Sequence, residues 1–461
     1  MTSEATTVTT AEAPAKKGFN NFGDPVIWGI YISLIFISLI ESFSASSQII
    51  GPGTGMYTPI VKHAIHLLLG FCGLLIFFFT NYKKIPYLIA ILALVTIVAL
   101  LLAPIIGQNV NNAKRAIDLG FFSIQPAEMA KISIVALIAW VSASTQRRGD
   151  VSTAGITICA ALVLFYSALT FSQGLTNTLL LMGISFIMML ISGVKLRKIG
   201  IVILVYAFFA GVFFVLKSLN DDKEENLKSA TQTEVVVQKP ANNDEDILND
   251  DNPLIQFVVK NFGRGGTWVA RFIRHYTPPQ LVEQEMNQLN QQEMYARMAQ
   301  ANSNNLGIGP IGVGPGNSRE CSRLPLAFSD YIYSIIVEEL GLAGALFVLV
   351  LFVGLIFRAK KLARQCSYAF PSFLVLGMSV MISLQALFHM AINTGVVPVS
   401  GQPLPLISMG GTSILMVSAA FGIILSVSRY AIQNSQDKEL KKAELNQLPE
   451  NLRSENPLYT K

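Results

Sequence analysis

The sequence predicts an all-α polytopic membrane protein of about ten transmembrane helices. Both termini are expected in the cytoplasm, with one large extracytoplasmic loop between helices seven and eight. Three observations predict this. The 461 residues are 52% hydrophobic and only 14% charged, whereas soluble globular proteins carry about 25% charged residues. Apolar runs recur at the length a bilayer demands, about 20 residues each. The short basic loops alternate with short loops that are nearly free of Lys and Arg. Lipid offers the backbone no hydrogen-bond partner, so the runs must be helices.

In chain order the runs cover residues 26–46, 61–80, 85–106, 126–143, 153–171, 175–193, 198–217, 331–357, 370–392 and 411–431. No internal repeat is visible, which argues against a transporter built from two halves. Residues 1–22 are rich in Thr, Ala and Glu and include Lys16-Lys17. No small-residue cleavage site follows a short apolar core there, so the segment reads as a disordered cytoplasmic lead and not a signal peptide. Residues 23–217 then hold helices one to seven, 218–329 the large loop, 330–434 the last three helices and 435–461 a cytoplasmic tail.

Orientation follows from four short loops on one side. They hold Lys83, Lys84, Arg147, Arg148, Lys195, Arg197, Lys198, Arg358, Lys360, Lys361 and Arg364. That side is cytoplasmic by the positive-inside rule. The opposite short loops hold only Lys114 and Arg115. The net charge of +5 fits basic inner loops and says nothing about nucleic acid. Of Cys72, Cys159, Cys321 and Cys366, only Cys321 falls in an outer loop, so no outer-face disulfide within the chain is expected. No Cys/His cluster has metal-ligand spacing.

The large loop opens with an acidic, polar stretch, LNDDKEENLKSATQTEVVVQKPANNDEDILNDD, that reads as flexible. NPLIQFVVKNFGRGGTWVARFIRHYTPP follows, interleaving Arg264, Arg271 and Arg274 with aromatic and aliphatic residues. It fits a segment lying on the membrane interface or a small packed loop helix. GIGPIGVGPGNS comes next and ends in Asn317-Ser318. Its glycines suit a hinge or a direct contact with an anionic headgroup. No strand precedes it and no Gly-Lys-Ser/Thr ends it, so it is not a Walker loop.

Charges at membrane depth cost about 2.5–3.5 kcal/mol each on insertion scales and are functional hypotheses by default. FFSIQPAEMAK opens the fourth helix. Pro126 suits a first turn, and Glu128 there complements the helix dipole. Lys131 lies three residues on, on the same face. The two form either a local ion pair or part of a polar cluster lining a substrate cavity. Lys114 and Arg115 are either interfacial snorkels or an anion site for a phosphorylated headgroup. In LPLAFSDYIYSIIVEELG, Asp330 alone stands at the water boundary. Glu338 and Glu339 lie deeper on other helix faces and are expected to bind neighbouring helices, through Lys131 among others. Asp330 is also placed to act as an ordinary helix N-cap. His389 reads as a packed, hydrogen-bonded histidine. The segment NTGVVPVSGQPLPLISMGGTSIL is too rich in Pro and Gly for helix from Val396 to Gly411. It predicts a loop dipping back into the outer leaflet, buried against protein.

Together, AKRAIDLGFFSIQPAEMAK, GVGPGNS, LPLAFSDYIYSIIVEELG and NTGVVPVSGQPLPLISMGGTS, in this order, resemble the SEDS (shape, elongation, division and sporulation) family over nearly all of residues 23–431. GDPVIWGIYISLIFISLIESFSASS and TWVAR look more like its division members than its elongation members. The resemblance implies a ten-helix glycosyltransferase of the bacterial inner membrane. Such a protein polymerises lipid II into peptidoglycan with a class B penicillin-binding protein and other divisome membrane proteins. It implies Asp330 as the essential aspartate. Lys114, Arg115, Gln125, Pro126, Glu128 and Lys131 match further family patterns, and Asn317 and Ser318 are candidate headgroup contacts. Ala116 and Ala127 depart from the usual Trp and Ser, and Leu326 and Phe328 stand where many members have Glu and His.

The implied chemistry is attack of a sugar hydroxyl on an anomeric carbon, with undecaprenyl pyrophosphate leaving. A general base contributes roughly 10²–10⁴-fold to such a step, and Asp330 is the candidate. The leaving group needs positive charge, from Lys114 and Arg115 or from a bound Mg²⁺ or Mn²⁺. No protein-only metal site and no organic cofactor are expected. The rival readings are a lipid II flippase and a non-catalytic divisome scaffold, for which Asp330 would be dispensable.

Overall fold

The computed structural model describes residues 22–45, 58–110, 113–118, 123–147, 150–171, 173–206, 291–304, 311–324, 327–398 and 400–447. The acidic stretch of the large loop and the Trp268 segment lie outside these residues. Helices run over α1 (Pro25–Ala45), α2 (Thr58–Phe79), α3 (Ile85–Ile106), α4 (Pro126–Ser144), α5 (Thr153–Phe171) and α6 (Leu175–Ile191). A further helix, α7, is described over 196–206. Then come α8 (Gln291–Ala301), α9 (Ile332–Gln365), α10 (Ala369–Asn393) and α11 (Gly411–Gln447).

The chain is a helical membrane protein. Among the described residues, eight helices are long and apolar enough to cross a membrane: α1 to α5 and α9 to α11. α6 is apolar but shorter, at 17 residues. The predicted span 198–217 is described only as far as 206. The structure extends the sequence reading in three places. α9 runs 34 residues and carries the basic loop residues Arg358 to Arg364 as helix. α11 continues to Gln447, so the first part of the predicted tail is helical. α8 inside the large loop was not anticipated; its amphipathic sequence, QQEMYARMAQA, is too short and polar to register as a span.

The all-α reading holds for the bundle, and short strands are added in its loops. Two small antiparallel sheets sit in the loops. One has the order β1 (Gln108–Val110), β2 (Ala113–Asp118), β3 (Ser123–Ile124); the other pairs β4 (Gln146–Arg147) with β5 (Asp150–Val151). They form where chain leaves one helix and must enter the next, and pairing satisfies backbone groups close to the membrane surface.

Burial separates centre from rim. In α4, α10 and α11 the membrane-spanning stretches are 78%, 72% and 83% buried, against 22% in α2 and 28% in α3 and in α9. α2 packs on α11, α9 on α10, and α4 on both α3 and α10. The rim helices turn large apolar side chains outward, such as Phe36 on α1 and Ile91, Leu94 and Ile105 on α3. Such contiguous apolar exposure suits lipid.

The two ends of the bundle differ. At one end Asp24 receives the first N–H groups of α1 and pairs with Arg358 at 2.6 Å. Tyr82 stacks on Tyr430 there, and Asn434 bonds Ser367. The other end gathers β3, the turn before α9 and the loop joining α10 to α11, and it holds the polar cavity described next.

Candidate active site

Asp330 ends the turn that enters α9. The N-cap position falls on Tyr331 and has no side-chain cap, so ordinary capping does not account for Asp330. Its backbone is pinned from three directions. Asn393, at the end of α10, donates from Nδ2 to the Asp330 carbonyl at 3.0 Å. Ser408 Oγ donates to the Ser329 carbonyl at 2.7 Å, and the Met409 N–H to the Phe328 carbonyl at 3.0 Å. Asn393 Oδ1 in turn accepts from the Ser334 N–H and hydroxyl, and Gln300 on α8 bridges Ser334 Oγ and the Asn393 carbonyl. On the side chain, Ser329 Oγ donates to Asp330 Oδ1 at 2.9 Å. Gly401 approaches from the facing loop; a Cβ there would stand 3.0 Å from Asp330 Oδ2. A side chain there would crowd the carboxylate, which would have to give by a few tenths of an ångström.

That facing loop is the predicted re-entrant segment. It is non-helical through 394–410 among the described residues, and Leu404, Leu406, Ile407 and Ser408 are buried. Leu406 has φ 65°, a left-handed conformation that costs a non-glycine residue about 1–3 kcal/mol. A tight turn holds it, with the Ser408 N–H on the Leu404 carbonyl and Ser408 Oγ receiving the Leu404 N–H. α10 supports the loop from below. His389, fully buried, donates from Nδ1 to the Gln402 carbonyl at 2.6 Å, which leaves Nε2 to accept from Asn393. Gln385 donates to the Pro403 carbonyl at 3.3 Å. His389 therefore has the packed role expected of it.

Between these parts lies a cavity of about 260 Å³. Ser329 and Asp330 form one wall, and Gln125, Ala127 and Glu128 a second. Gln173 and Asn177 form a third, and Gly401, Pro403 and residues 409–412 close it. Glu128 is held by Lys131 at 2.7 Å, with both side chains buried. Lys131 also donates to Gln385 Oε1 at 2.9 Å. The ion pair is thus local, and its Glu128 member lines the cavity. Thr412 receives the Gln125 N–H at 3.1 Å and donates to the Ser123 carbonyl, which fixes β3 against α11.

Of the residues predicted for the site, Asp330, Gln125 and Glu128 meet in this cavity, with Lys131 directly behind. Lys114 and Arg115 lie on β2, next to β3 in the same small sheet, but their side chains lie outside the described part of the chain. Asn317 and Ser318 do not line the cavity. Ser318 donates from its hydroxyl to Glu338, and its N–H goes to Glu339 at 3.3 Å. Asn317 is exposed and bonds the Val313 carbonyl.

The expectation that Glu338 and Glu339 engage Lys131 is corrected in the same place. They hold the glycine-rich loop instead. Gly341 has φ 68° and breaks the helical path of α9. The carbonyls of Glu338 and Glu339 accept the N–H groups of Val313 and Gly314, at 3.0 and 2.8 Å. Their carboxylates accept from Gly316, Ser318, Arg319 and, across to α1, Ser44.

Sequence reasoning missed Gln173, Asn177, Gln385, Asn393 and Thr412. All are neutral, so no charge marks them as costly at membrane depth. The one available signal was Asn393 and Thr412 at the two ends of the Pro/Gly-rich segment. Among the described residues, no Lys or Arg lines the cavity and no cluster of three or more His, Cys, Asp or Glu side chains could hold a metal.

Comparison with known proteins agrees with this architecture. A probable peptidoglycan glycosyltransferase FtsW from Geobacter metallireducens is 25% identical over 415 residues, covering 88% of this chain and 94% of that protein. A solved chain from a peptidoglycan synthase complex, described as coordinating polymerization and crosslinking, superposes with TM-score 0.59 at 18% identity. It covers 89% of this chain and 99% of that one. The rod shape determining protein RodA of Thermus thermophilus superposes with TM-score 0.56 at 17% identity, covering 88% and 97%. At these identities the two structures show a common fold. The family model FtsW/RodA/SpoVE, described as cell cycle protein, matches residues 25–229 and 290–433, most of the chain. The chain belongs to the FtsW/RodA/SpoVE family.

Proposed function

We propose that this chain is a peptidoglycan glycosyltransferase that polymerises lipid II at the outer face of the bacterial inner membrane during cell division. The observation that carries the reading is Asp330. It is a carboxylate on a rigidly held turn, at a polar cavity where the bundle meets its loops. Its two oxygens differ. Oδ1 is fixed by Ser329, while Oδ2 faces the Gly401 side. A fixed carboxylate beside a cavity can accept the proton of an attacking sugar hydroxyl. Such base assistance is worth roughly 10²–10⁴-fold. Attack opposite the departing pyrophosphate inverts the anomeric centre. Glu128 is neutralised by Lys131, and the base role is assigned to Asp330.

The leaving pyrophosphate calls for cations. Lys114 and Arg115, on the strand next to β3, are the chain's own candidates. A Mg²⁺ or Mn²⁺ ion would be held chiefly by the substrate's own phosphates, since Glu128 is engaged by Lys131 and Asp330 serves as the base. When bound, the ion would neutralise charge on the pyrophosphate. The division role rests on relatives that carry the FtsW name. The partner is a class B penicillin-binding protein that cross-links the strands, in keeping with the matched synthase complex.

The test compares wild type with Asp330→Asn, each purified with its partner, for glycan polymer made from lipid II. Loss of polymer with folding and lipid II binding retained supports the base role. Equal polymer from both removes Asp330 from the chemistry. No polymer from either, with lipid II still crossing liposome membranes, turns the reading to a flippase.

A further inference from the structure

Gln173 stands in the corner between α5 and α6, in the wall of the cavity that Asp330 also lines. Its backbone is fixed, with the Gln173 N–H on the Thr170 carbonyl at 3.0 Å and the Gly174 N–H on the Phe171 carbonyl at 3.2 Å. The side chain is 1% exposed, and neither Oε1 nor Nε2 has a protein partner. Buried amides are almost always bonded, and an exception asks for a reason such as an absent ligand. One turn into α6, Asn177 lines the same wall. Its Oδ1 is taken by Gln402 Nε2 at 2.8 Å, which leaves the Asn177 Nδ2 donors for the cavity. Gln173 thus carries an unpaired acceptor, Oε1, and an unpaired donor group, Nε2, both just beneath the cavity surface, and Asn177 adds the donors of Nδ2.

This pattern selects among ligand groups. A phosphate oxygen only accepts, so it would satisfy the donors and leave Gln173 Oε1 stranded. A secondary amide brings one N–H and one carbonyl and matches both. The sugars of peptidoglycan carry an acetamido group on the carbon beside the anomeric carbon. That group is borne by the carbon bonded to the reacting centre, close to where Asp330 would act. We infer that Gln173 and Asn177 form a neutral clamp for the acetamido group of the sugar that bears the pyrophosphate. The clamp rests on the transferase reading and adds a specificity determinant to it.

The test is a cycle of two proteins and two substrates. Wild type and Gln173→Leu are assayed, each with its partner, on lipid II and on an analogue whose pyrophosphate-bearing sugar has a hydrogen in place of the acetamido group. Wild type should favour lipid II by at least about tenfold in kcat/KM, because a site built to bond a polar group rejects the analogue lacking it. Gln173→Leu should lose at least about tenfold on lipid II and little more on the analogue, so the preference collapses. Asn177→Asp keeps the acceptor for Gln402, removes the donors and should weaken the preference in the same way. Melting temperature adds a readout that a structural glutamine would move. Gln173 makes no protein bond, so Gln173→Leu should melt no lower than wild type.

Equal fractional loss on both substrates, or a lower melting point in Gln173→Leu, overturns the clamp. So does an equal weakening of undecaprenyl pyrophosphate binding, which would assign the amide to phosphate. The same cycle is read in equilibrium binding without turnover. A binding preference abolished by Gln173→Leu supports the clamp even in a preparation that makes no polymer; that absence counts against the transferase reading alone.

Discussion

Replacing Gly312 by alanine tests the latch between the glycine-rich loop and α9. A Cβ at Gly312 would fall 2.3 Å from the Glu338 carbonyl oxygen and 2.4 Å from the Glu339 carbonyl carbon. Both are backbone atoms of a buried helix, so neither can swing aside. Gly312 has no positive φ, so alanine suits the backbone itself and only the contact is at issue. Overpacking of this kind costs about 1–3 kcal/mol when the surroundings adjust. If the loop lifts, the bonds from Val313 and Gly314 are lost as well, at about 1 kcal/mol each. The N–H groups of Gly316, Ser318 and Arg319 also leave the carboxylates, and bonds to charged groups are worth about 1.5–3 kcal/mol each. A loss of about 3 kcal/mol or more is expected, which corresponds to a fall in Tm of roughly 3 °C or more for a chain of this size. The assay is thermal unfolding of the detergent-solubilised protein, with Gly183→Ala and Gly354→Ala as controls. Those glycines lie within α6 and α9, with nothing inside 4 Å of an added Cβ. In helix interiors the change should stabilise by about 0.5–1 kcal/mol. Equal melting of all three variants would refute the close-approach reasoning.

Three other outcomes follow from the same geometry. Gly401→Ala should crowd Asp330 Oδ2 and lower glycan polymerisation by about tenfold or more while Tm stays within about 2 °C, read by polymer on gels beside a melting curve. Lys131→Met should strand the buried Glu128 carboxylate at a cost of about 3–5 kcal/mol; adding Glu128→Gln should recover much of it, measured as Tm in a double-mutant cycle. Asp150 is held below the usual carboxylate range, first by its hydrogen bond from Lys198. A group with a depressed folded pKa stabilises above its unfolded value and loses that contribution as pH falls through the folded one. Asp150→Asn should therefore lower Tm slightly near neutral pH, and the difference should shrink as pH falls below the ordinary carboxylate range.

Helices were legible because the bilayer imposes one length and forbids free backbone groups, so α1 to α5 and α9 to α11 announce themselves by composition. The re-entrant loop was legible for the opposite reason: Pro and Gly recur too often between Val396 and Gly411 for any helix to survive. Asp330, Glu128 and Lys131 were legible because a charge near lipid needs a reason. What escaped notice was whatever depends on contact across the sequence. The three-stranded sheet at 108–124 is built of strands of six residues or fewer, too short for alternation to show. Glu338 and Glu339 read as helix-facing charges until the kink at Gly341 set their carbonyls beside Gly312. Gln173 looks like any corner residue until its empty hydrogen-bonding capacity is seen against the cavity.

The departures around Asp330 can now be read physically. Phe328 stands where many family members have a histidine, and a phenylalanine offers the aspartate no hydrogen bond. The chain holds its aspartate through the backbone instead. The re-entrant loop grips Phe328 and Ser329 by their carbonyls, through the Met409 N–H and Ser408 Oγ, and Asn393 grips Asp330 by its own. One side-chain bond on the carboxylate comes from the adjacent residue, Ser329. Positioning by main-chain bonds tolerates a change of side chain at 328, because the carbonyl there is the same whatever residue carries it. That places the precision of the site in the 394–410 loop and in Asn393. It also explains why this loop keeps a strained Leu406 and a bare Gly401: together they set the distance between loop and carboxylate, the space in which the proposed reading puts a sugar hydroxyl.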